Sequence, residues 1–161
     1  MEKTVKIRVK LGVGDLYHFL LQYNYKSFGG IIGLIISLCS LGYVAVTYGK
    51  HDVGTNMVFI LIGLLWTVIQ PVMLWQKAAK QAVKSQAYQQ ELEYEFDENR
   101  IKIRQGSEEV EVLWENIVKV KEDKKQILLF TSRVHASILP KAQFAEELSA
   151  IKALIQEKVK G

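Results

Sequence analysis

FGGIIGLIISLCSLGYVAVTY, residues 28–48, is a run of 21 positions without a charged side chain. As a helix rising 1.5 Å per residue it would be roughly 31 Å long, about the thickness of a bilayer's hydrocarbon core. A second uncharged stretch, VGTNMVFILIGLLWTVIQPVMLWQ at 53–76, carries an apolar core of about residues 55–75 that is also long enough to span. Both are too uniformly apolar for surface helices with one wet face; the competing reading is a buried helix pair in a soluble core. The first run exceeds a signal-peptide core, and the 27 residues before it have patterning of their own. Only Gly49-Lys50-His51-Asp52 joins the two. The expectation is a transmembrane hairpin at 28–76, its two ends on one side of the membrane.

Flanking cations orient it. Lys3, Lys6, Arg8, Lys10 and Lys26 precede the first span and Lys77, Lys80 and Lys84 follow the second, whereas the connecting loop offers Lys50 alone. The positive-inside rule then places both termini of a multi-pass cell-membrane protein in the cytoplasm. Lys77, Lys80 and Lys84 share one face of a helical extension over 77–90, where each can meet anionic headgroups for about 1 kcal/mol. Inside the spans, Gly29, Gly33 and Ser37 recur at intervals of four, a small-residue stripe that lets helices approach closely, either within the hairpin or between two copies. Pro71 is expected to kink the second span, with Gln70 satisfying the backbone groups it frees. Neither span holds Asp, Glu, Lys or Arg, the usual residues of an ion pathway.

The overall composition conceals this. With 161 residues, 49% hydrophobic, 24% charged and a net charge of +4, the chain resembles an ordinary soluble protein. Segment by segment, residues 1–27 and 77–90 each carry +3, 28–76 are neutral and 91–161 carry −2. The basic excess flanks the hairpin. One cysteine, Cys39, excludes an internal disulfide framework.

Outward from the spans the period changes. In TVKIRVKL, Val5, Ile7, Val9 and Leu11 alternate with Lys6, Arg8 and Lys10, the pattern of a half-buried strand. Asp15 is a plausible N-cap for a short helix carrying Leu16, Phe19, Leu20 and Tyr23 on one face, which suits the membrane surface within a first segment at 1–27. After residue 90, Leu92, Tyr94 and Phe96 alternate with Glu91, Glu93 and Glu95, and Asp97-Glu98-Asn99-Arg100 turns the chain. Pairing Phe96 with Ile101 sets Tyr94 against Ile103, Glu95 against Lys102 and Glu93 against Arg104, so apolar groups share one face and opposite charges the other. Further strands are expected at 109–114, 117–122, 126–131 and 134–139. Past Pro140, Phe144, Leu148, Ile151, Ile155 and Val159 form a helical stripe, with Glu146 and Glu147 near its start and Lys158 and Lys160 near its end.

The isolated first strand has an apolar face and needs a partner. The economical fold class is therefore membrane α+β: a two-helix hairpin inserted between the first two strands of a cytoplasmic antiparallel β domain at 91–161. Seven strands and a closing helix is the layout of a pleckstrin-homology-like domain, an analogy at the level of fold. In such domains headgroups commonly bind near the connection between the first two strands; here the hairpin occupies it.

Tyr94-Glu95-Phe96, Trp114-Glu115-Asn116-Ile117-Val118-Lys119-Val120, Ile127-Leu128-Leu129-Phe130 and Ile138-Leu139-Pro140-Lys141-Ala142-Gln143-Phe144 together resemble the YcxB-like family of small bacterial membrane proteins. The aromatic segment at 17–27 matches as well, and Ala142 departs from the basic residue expected of the family. The resemblance implies two spans and a YcxB-like C-terminal domain, with no catalytic residue. Its marker residues Trp114, Ile117, Pro140, Lys141 and Phe144 take structural roles, Trp114 and Phe144 as core aromatics and Pro140 as the end of the last strand. Lys141 reads as a solvated loop cation, with an anionic headgroup or acidic partner as the alternative.

Catalytic and cofactor signatures are absent from the sequence. Gly12-Val13-Gly14 lacks a phosphate loop's length and its Lys-Ser/Thr ending, and His18, His51 and His135 have no metal spacing. The Glu91, Glu93, Glu95, Asp97 and Glu98 run is better explained by cross-strand Lys and Arg than by acid–base chemistry, and the acidic 91–161 segment has the wrong sign for nucleic acid. The reading is a non-enzymatic, cofactor-free membrane protein whose β domain engages a protein partner or its own copy, one mode being a peptide added to a strand edge. The alternative is an oligomeric lipid-responsive or small transporter-like subunit.

Overall fold

The computed structural model describes residues 4–85, 88–133 and 135–159. Lys3, residues 86–87 of the basic extension, Val134 and Lys160, all used above, lie outside them. The chain divides into two compact units, Met1–Asp15 with Ala82–Gly161, and Leu16–Gln81.

The first unit holds a four-stranded antiparallel sheet, β1 (Val5–Val9), β2 (Leu92–Phe96), β3 (Arg100–Gln105) and β4 (Glu108–Leu113), in that spatial order. A three-stranded antiparallel sheet follows, β5 (Lys119–Glu122), β6 (Gln126–Phe130) and β7 (Ala136–Pro140), also in order. The β2–β3 register is the one expected: Phe96 faces Ile101, Tyr94 faces Ile103, Glu95 faces Lys102 and Glu93 faces Arg104. Asp97 makes the turn, its Oδ1 accepting from the Asn99 and Arg100 amides at 2.7 Å. Burial acts to raise the Asp97 carboxyl pKa, but those amides and the Arg100 guanidinium outweigh it and hold the group low.

The N-terminal strand joins this sheet. β1 pairs antiparallel with β2, setting Val5 against Phe96, Ile7 against Tyr94 and Val9 against Leu92. The pairing buries Ile7, Val9, Tyr94, Phe96 and Ile101 on one face. On the other, Lys6 meets Glu95 at 3.3 Å, Arg8 meets Glu93 at 2.8 Å, Arg104 meets Glu109 at 2.5 Å and Arg100 meets Glu111 at 2.8 Å. Strand by strand that face is positive, negative, positive, negative. Each exposed pair contributes little stability, about 0.2–1 kcal/mol, but a one-residue slip would set the whole row of charges against the core, so the pattern specifies register.

β6, in the centre of its sheet, is buried at all five positions, as a central apolar run requires. Burial pushes the Tyr94 phenol pKa up to about 12, against the lowering pull of the Ser137 hydroxyl. The last strand ends on Pro140, as expected. The closing helix α5 (Leu148–Lys158) is shorter than the stripe suggested. Lys141–Gln143 form a 3-10 turn that Phe144 ends, so its buried ring reaches the core from a loop and not from the helix. Likewise Trp114–Asn116 is a 3-10 turn, which delays β5 to Lys119.

The second unit contains most of α1 (Val13–Tyr25), then α2 (Phe28–Thr47), α3 (Val53–Leu64), a π-helical stretch Leu65–Ile69 and the start of α4 (Gln70–Lys84). Ser27 caps α2, its Oγ accepting from the Gly30 amide at 3.0 Å, and Asp52 caps α3 through the Thr55 amide at 2.9 Å. Phe28–Thr47 and the continuous helix Val53–Lys84 are both long and apolar enough to cross a membrane, and their apolar surface is mostly uncovered.

Two outcomes test β1's place. Residues 91–161 expressed without β1 should lack the full sheet signal in far-UV circular dichroism and regain it when a peptide of residues 4–11 is added; a stable monomer with complete sheet content would contradict the pairing. In the full chain, Phe96→Ala should cost about 3–5 kcal/mol in denaturant unfolding of the sheet unit.

Candidate functional site

The small-residue stripe separates on inspection. A Cβ at Gly33 would lie 2.3 Å from the Trp66 ring, and one at Gly63, across the hairpin, 2.4 Å from Leu41. Gly29 faces open space, whereas its neighbour Gly30 fits closely against the Asn24 carbonyl in the α1–α2 turn. Gly33 and Ser37 therefore serve contact within the hairpin, and Gly29 does not.

Ser37 does more than leave room. Its hydroxyl is buried, donates to the Ile62 carbonyl at 3.0 Å and accepts from the Trp66 amide at 3.3 Å. Those two groups would pair with each other in an uninterrupted α-helix, so α2 inserts a hydroxyl into the ladder of its neighbour. The π-helical stretch begins at this point. Within it the Gln70 amide bonds the Leu65 carbonyl, and the next residue, Pro71, has no N–H. The Trp66 carbonyl is thus left without a helical donor, and the Tyr25 hydroxyl donates to it. Pro71 acts through this register shift, which absorbs the missing donor ahead of the ring. Gln70 does not bond freed backbone as expected; its Nε2 donates to Asn24 Oδ1 at 3.2 Å. The partner comes from α1, the short helix that the sequence placed at the membrane surface.

Lys77, Lys80 and Lys84 are all exposed on α4. The marker residues are internal. Trp114 is buried beside Phe96, its ring centroid 6.2 Å away, and its indole N–H donates to the Asp97 carbonyl at 2.9 Å. Ile117, Pro140 and Phe144 are buried too. Lys141 requires a correction. Its ammonium is largely covered and donates to the Glu122 carboxylate and the Asp123 carbonyl, so it is neither solvated nor open to a headgroup. Lys152 of α5 meets the same carboxylate at 2.5 Å, and the hydrogen bonds from Lys141 and Lys152 hold the Glu122 pKa low. One carboxylate thereby ties the β5–β6 turn to the last strand's exit and to the closing helix. His135 is exposed in the turn before β7 and not on the strand. Among the described residues no cluster of three His, Cys, Asp or Glu side chains could hold a metal ion.

Sequence reasoning named strand-edge binding without locating the edge. β1 is one of the two outer strands of its sheet, and a groove of about 490 Å³ opens over the charged face next to it, lined among others by Lys6, Arg8, Glu93, Glu95, Arg104, Gln143 and Glu147. The Gln143 amide sits on that edge like a strand partner, donating from Nε2 to the Lys10 carbonyl at 2.9 Å and accepting at Oε1 from the Lys10 amide at 2.7 Å.

The folded segment that holds Trp114, Lys141 and Phe144 also matches a known family. Residues 96–155 match the model for the family described as YcxB-like protein. The chain carries a YcxB-like domain. The match begins on the last residue of β2 and ends within α5, so β1, the rest of β2 and the hairpin lie outside it. Neither curated proteins nor solved structures yield a match to the chain.

Two outcomes follow. Ser37→Ala should destabilise the helix pair by about 0.5–1.5 kcal/mol in unfolding measurements, as the loss of one hydrogen-bonding hydroxyl implies; Gly33→Val should cost more. Glu122, with a folded pKa below its ordinary 4.5, contributes stability that is present above pH 4.5 and lost as pH falls through the lowered value. Glu122→Gln should therefore flatten the acid limb of stability against pH.

Proposed function

We propose that the chain is an integral membrane protein in which a two-span hairpin anchors a pleckstrin-homology-like YcxB-like domain at the cytoplasmic face, where the domain works as a non-enzymatic interaction module. The observation that carries this reading is the surface of the two long helices. Ile31, Ile35, Leu38 and Val46 of the first and Met57, Val58, Leu61 and Leu65 of the second are all exposed. A helix pair in a soluble core would bury such residues; these lack a cover, and a bilayer supplies one.

The topology supports the same arrangement. β1 precedes the first long helix and its partner β2 follows the second, so both ends of the hairpin must return to one sheet. Lys77, Lys80 and Lys84 leave on that side and suit anionic headgroups, while the opposite connection carries Lys50 alone. Four strands, three strands and a C-terminal helix agree with the pleckstrin-homology-like analogy. The alternative, an oligomeric subunit built on the small-residue stripe, keeps only Gly29 free for contact with another copy, since Gly33 and Ser37 are occupied within the hairpin.

Cysteine accessibility tests the reading. In a Cys39→Ser background, His51→Cys should react with a membrane-impermeant maleimide on intact cells, and Ser107→Cys, in the β3–β4 turn, only after lysis. Labelling of position 107 from outside, or release of the protein from membranes by alkaline carbonate, would overturn it.

A further inference from the structure

The outer edge of β1 has a free row of backbone hydrogen-bonding groups. Lys10 presents both its N–H and its C=O to Gln143, away from β2. Backbone direction alternates along a strand, so Arg8 and Lys6 present theirs on the same outer side. No strand among the described residues pairs with that edge. An unprotected edge of this kind accepts an added strand.

Opposite the edge stands a wall from the C-terminal segment. The 490 Å³ groove opens over the charged face of the sheet, where Lys6 and Arg8 of β1, Glu93 and Glu95 of β2 and Arg104 of β3 line it with Gln143 and Glu147. A second cavity of about 290 Å³ sets Thr4 and Val5 across from Ala150, Ala153, Leu154 and Glu157. Gln143 bonds Lys10 at one end of β1 while Ala150, Ala153, Leu154 and Glu157 line the cavity at Thr4 and Val5 at the other, so the C-terminal segment runs antiparallel to the β1 edge. Gln143 closes one end by taking the place of a partner at Lys10. What remains is a slot about four or five residues long, or roughly 15 Å, with backbone on one side and two alanines on the other.

Charge selects the occupant. The wet face of the sheet reads positive on β1, negative on β2, positive on β3 and negative on β4, each row facing its opposite. The next strand outward from β1 meets Lys6 and Arg8, whose side chains are 69% and 74% exposed. Acidic residues continue the alternation there, and basic residues break it. The intervening residues of the added strand turn towards Ala150, Ala153 and Leu154, with Glu147 and Glu157 bounding that patch, so they should be small or apolar. A second copy's β1 is a poor occupant, because antiparallel pairing would set Lys6 and Arg8 against themselves. We infer that the β1 edge and α5 form a docking groove for an extended peptide that alternates acidic and apolar residues. This inference rests on the reading of the YcxB-like domain as an interaction module and names the partner's chemistry.

The test uses the full chain in detergent micelles with two fluorescein-labelled peptides, Glu-Val-Glu-Val-Glu-Val-Glu and its counterpart with Lys at every Glu, followed by fluorescence polarisation. The acidic peptide should bind about ten-fold more tightly than the basic one. Methylating alternate backbone amides on the peptide edge facing β1 should abolish binding, as strand addition demands. Lys6→Glu with Arg8→Glu should reverse the charge preference. If that pair disturbs folding, Ala153→Trp, which narrows the wall without touching a β-sheet pairing, should still block the acidic peptide. Equal binding of the two peptides, or acidic binding indifferent to Ala153→Trp and to amide methylation, overturns the groove. So does self-association that Glu109→Lys with Glu111→Lys abolishes, since that assigns the edge to another copy's β4. Failure of both peptides with the labelling pattern of positions 51 and 107 intact overturns the groove while the anchored-module reading stands.

Discussion

The antiparallel pairing of β1 with β2 is the constraint from which the rest of the architecture follows. It joins Val9 to Leu92 across the whole helical segment between them. Closing so long a connection costs entropy that grows only logarithmically with length, and a hairpin that folds on itself shortens the effective loop further. In return, the pairing covers one edge of β2, completes the apolar face of Ile7, Val9, Tyr94 and Phe96, and adds the positive row that neutralises Glu93 and Glu95. Without it the first sheet has an open edge at β2, its most buried strand.

Inside the hairpin a different economy operates. Both long helices are apolar nearly all round, so the specificity of their pairing falls to close contacts and to polar groups with a single satisfactory arrangement. Gly33 admits the Trp66 ring, and Ser37 bridges Ile62 and Trp66. Tyr25 takes the carbonyl that Pro71 cannot serve. These contacts set the register of the two long helices and explain why a π-helical stretch lies beside the proline.

Much of this was legible in the residues. Period-two alternation set the β2–β3 register to the residue, because a slip of one position would bury Glu93 and Glu95. The charge-free lengths marked both long helices, and the unpaired apolar face of residues 5–11 required the partner it has. Other features depend on contacts that one-dimensional spacing does not carry. The Gly29, Gly33 and Ser37 stripe was visible, but which members face the neighbouring helix depends on a rotation that hydropathy leaves open. Gln70 was assigned to the backbone beside it and Lys141 to solvent, whereas their partners, Asn24 and Glu122, are far away in sequence. The groove at β1 escaped notice because its wall comes from the opposite end of the chain, and only Gln143 on Lys10 betrays it.

A single crosslink tests the central claim most directly. Arg8 and Glu93 face each other, and since the outward backbone of Arg8 makes this a non-hydrogen-bonded pair, their Cα atoms should lie within disulfide reach. Arg8→Cys with Glu93→Cys in a Cys39→Ser background, oxidised mildly in cells and read by mobility on non-reducing gels, should give an intramolecular disulfide in the full-length chain. An abundant, folded protein in which the two cysteines stay reduced, or bridge only between copies, would contradict the account.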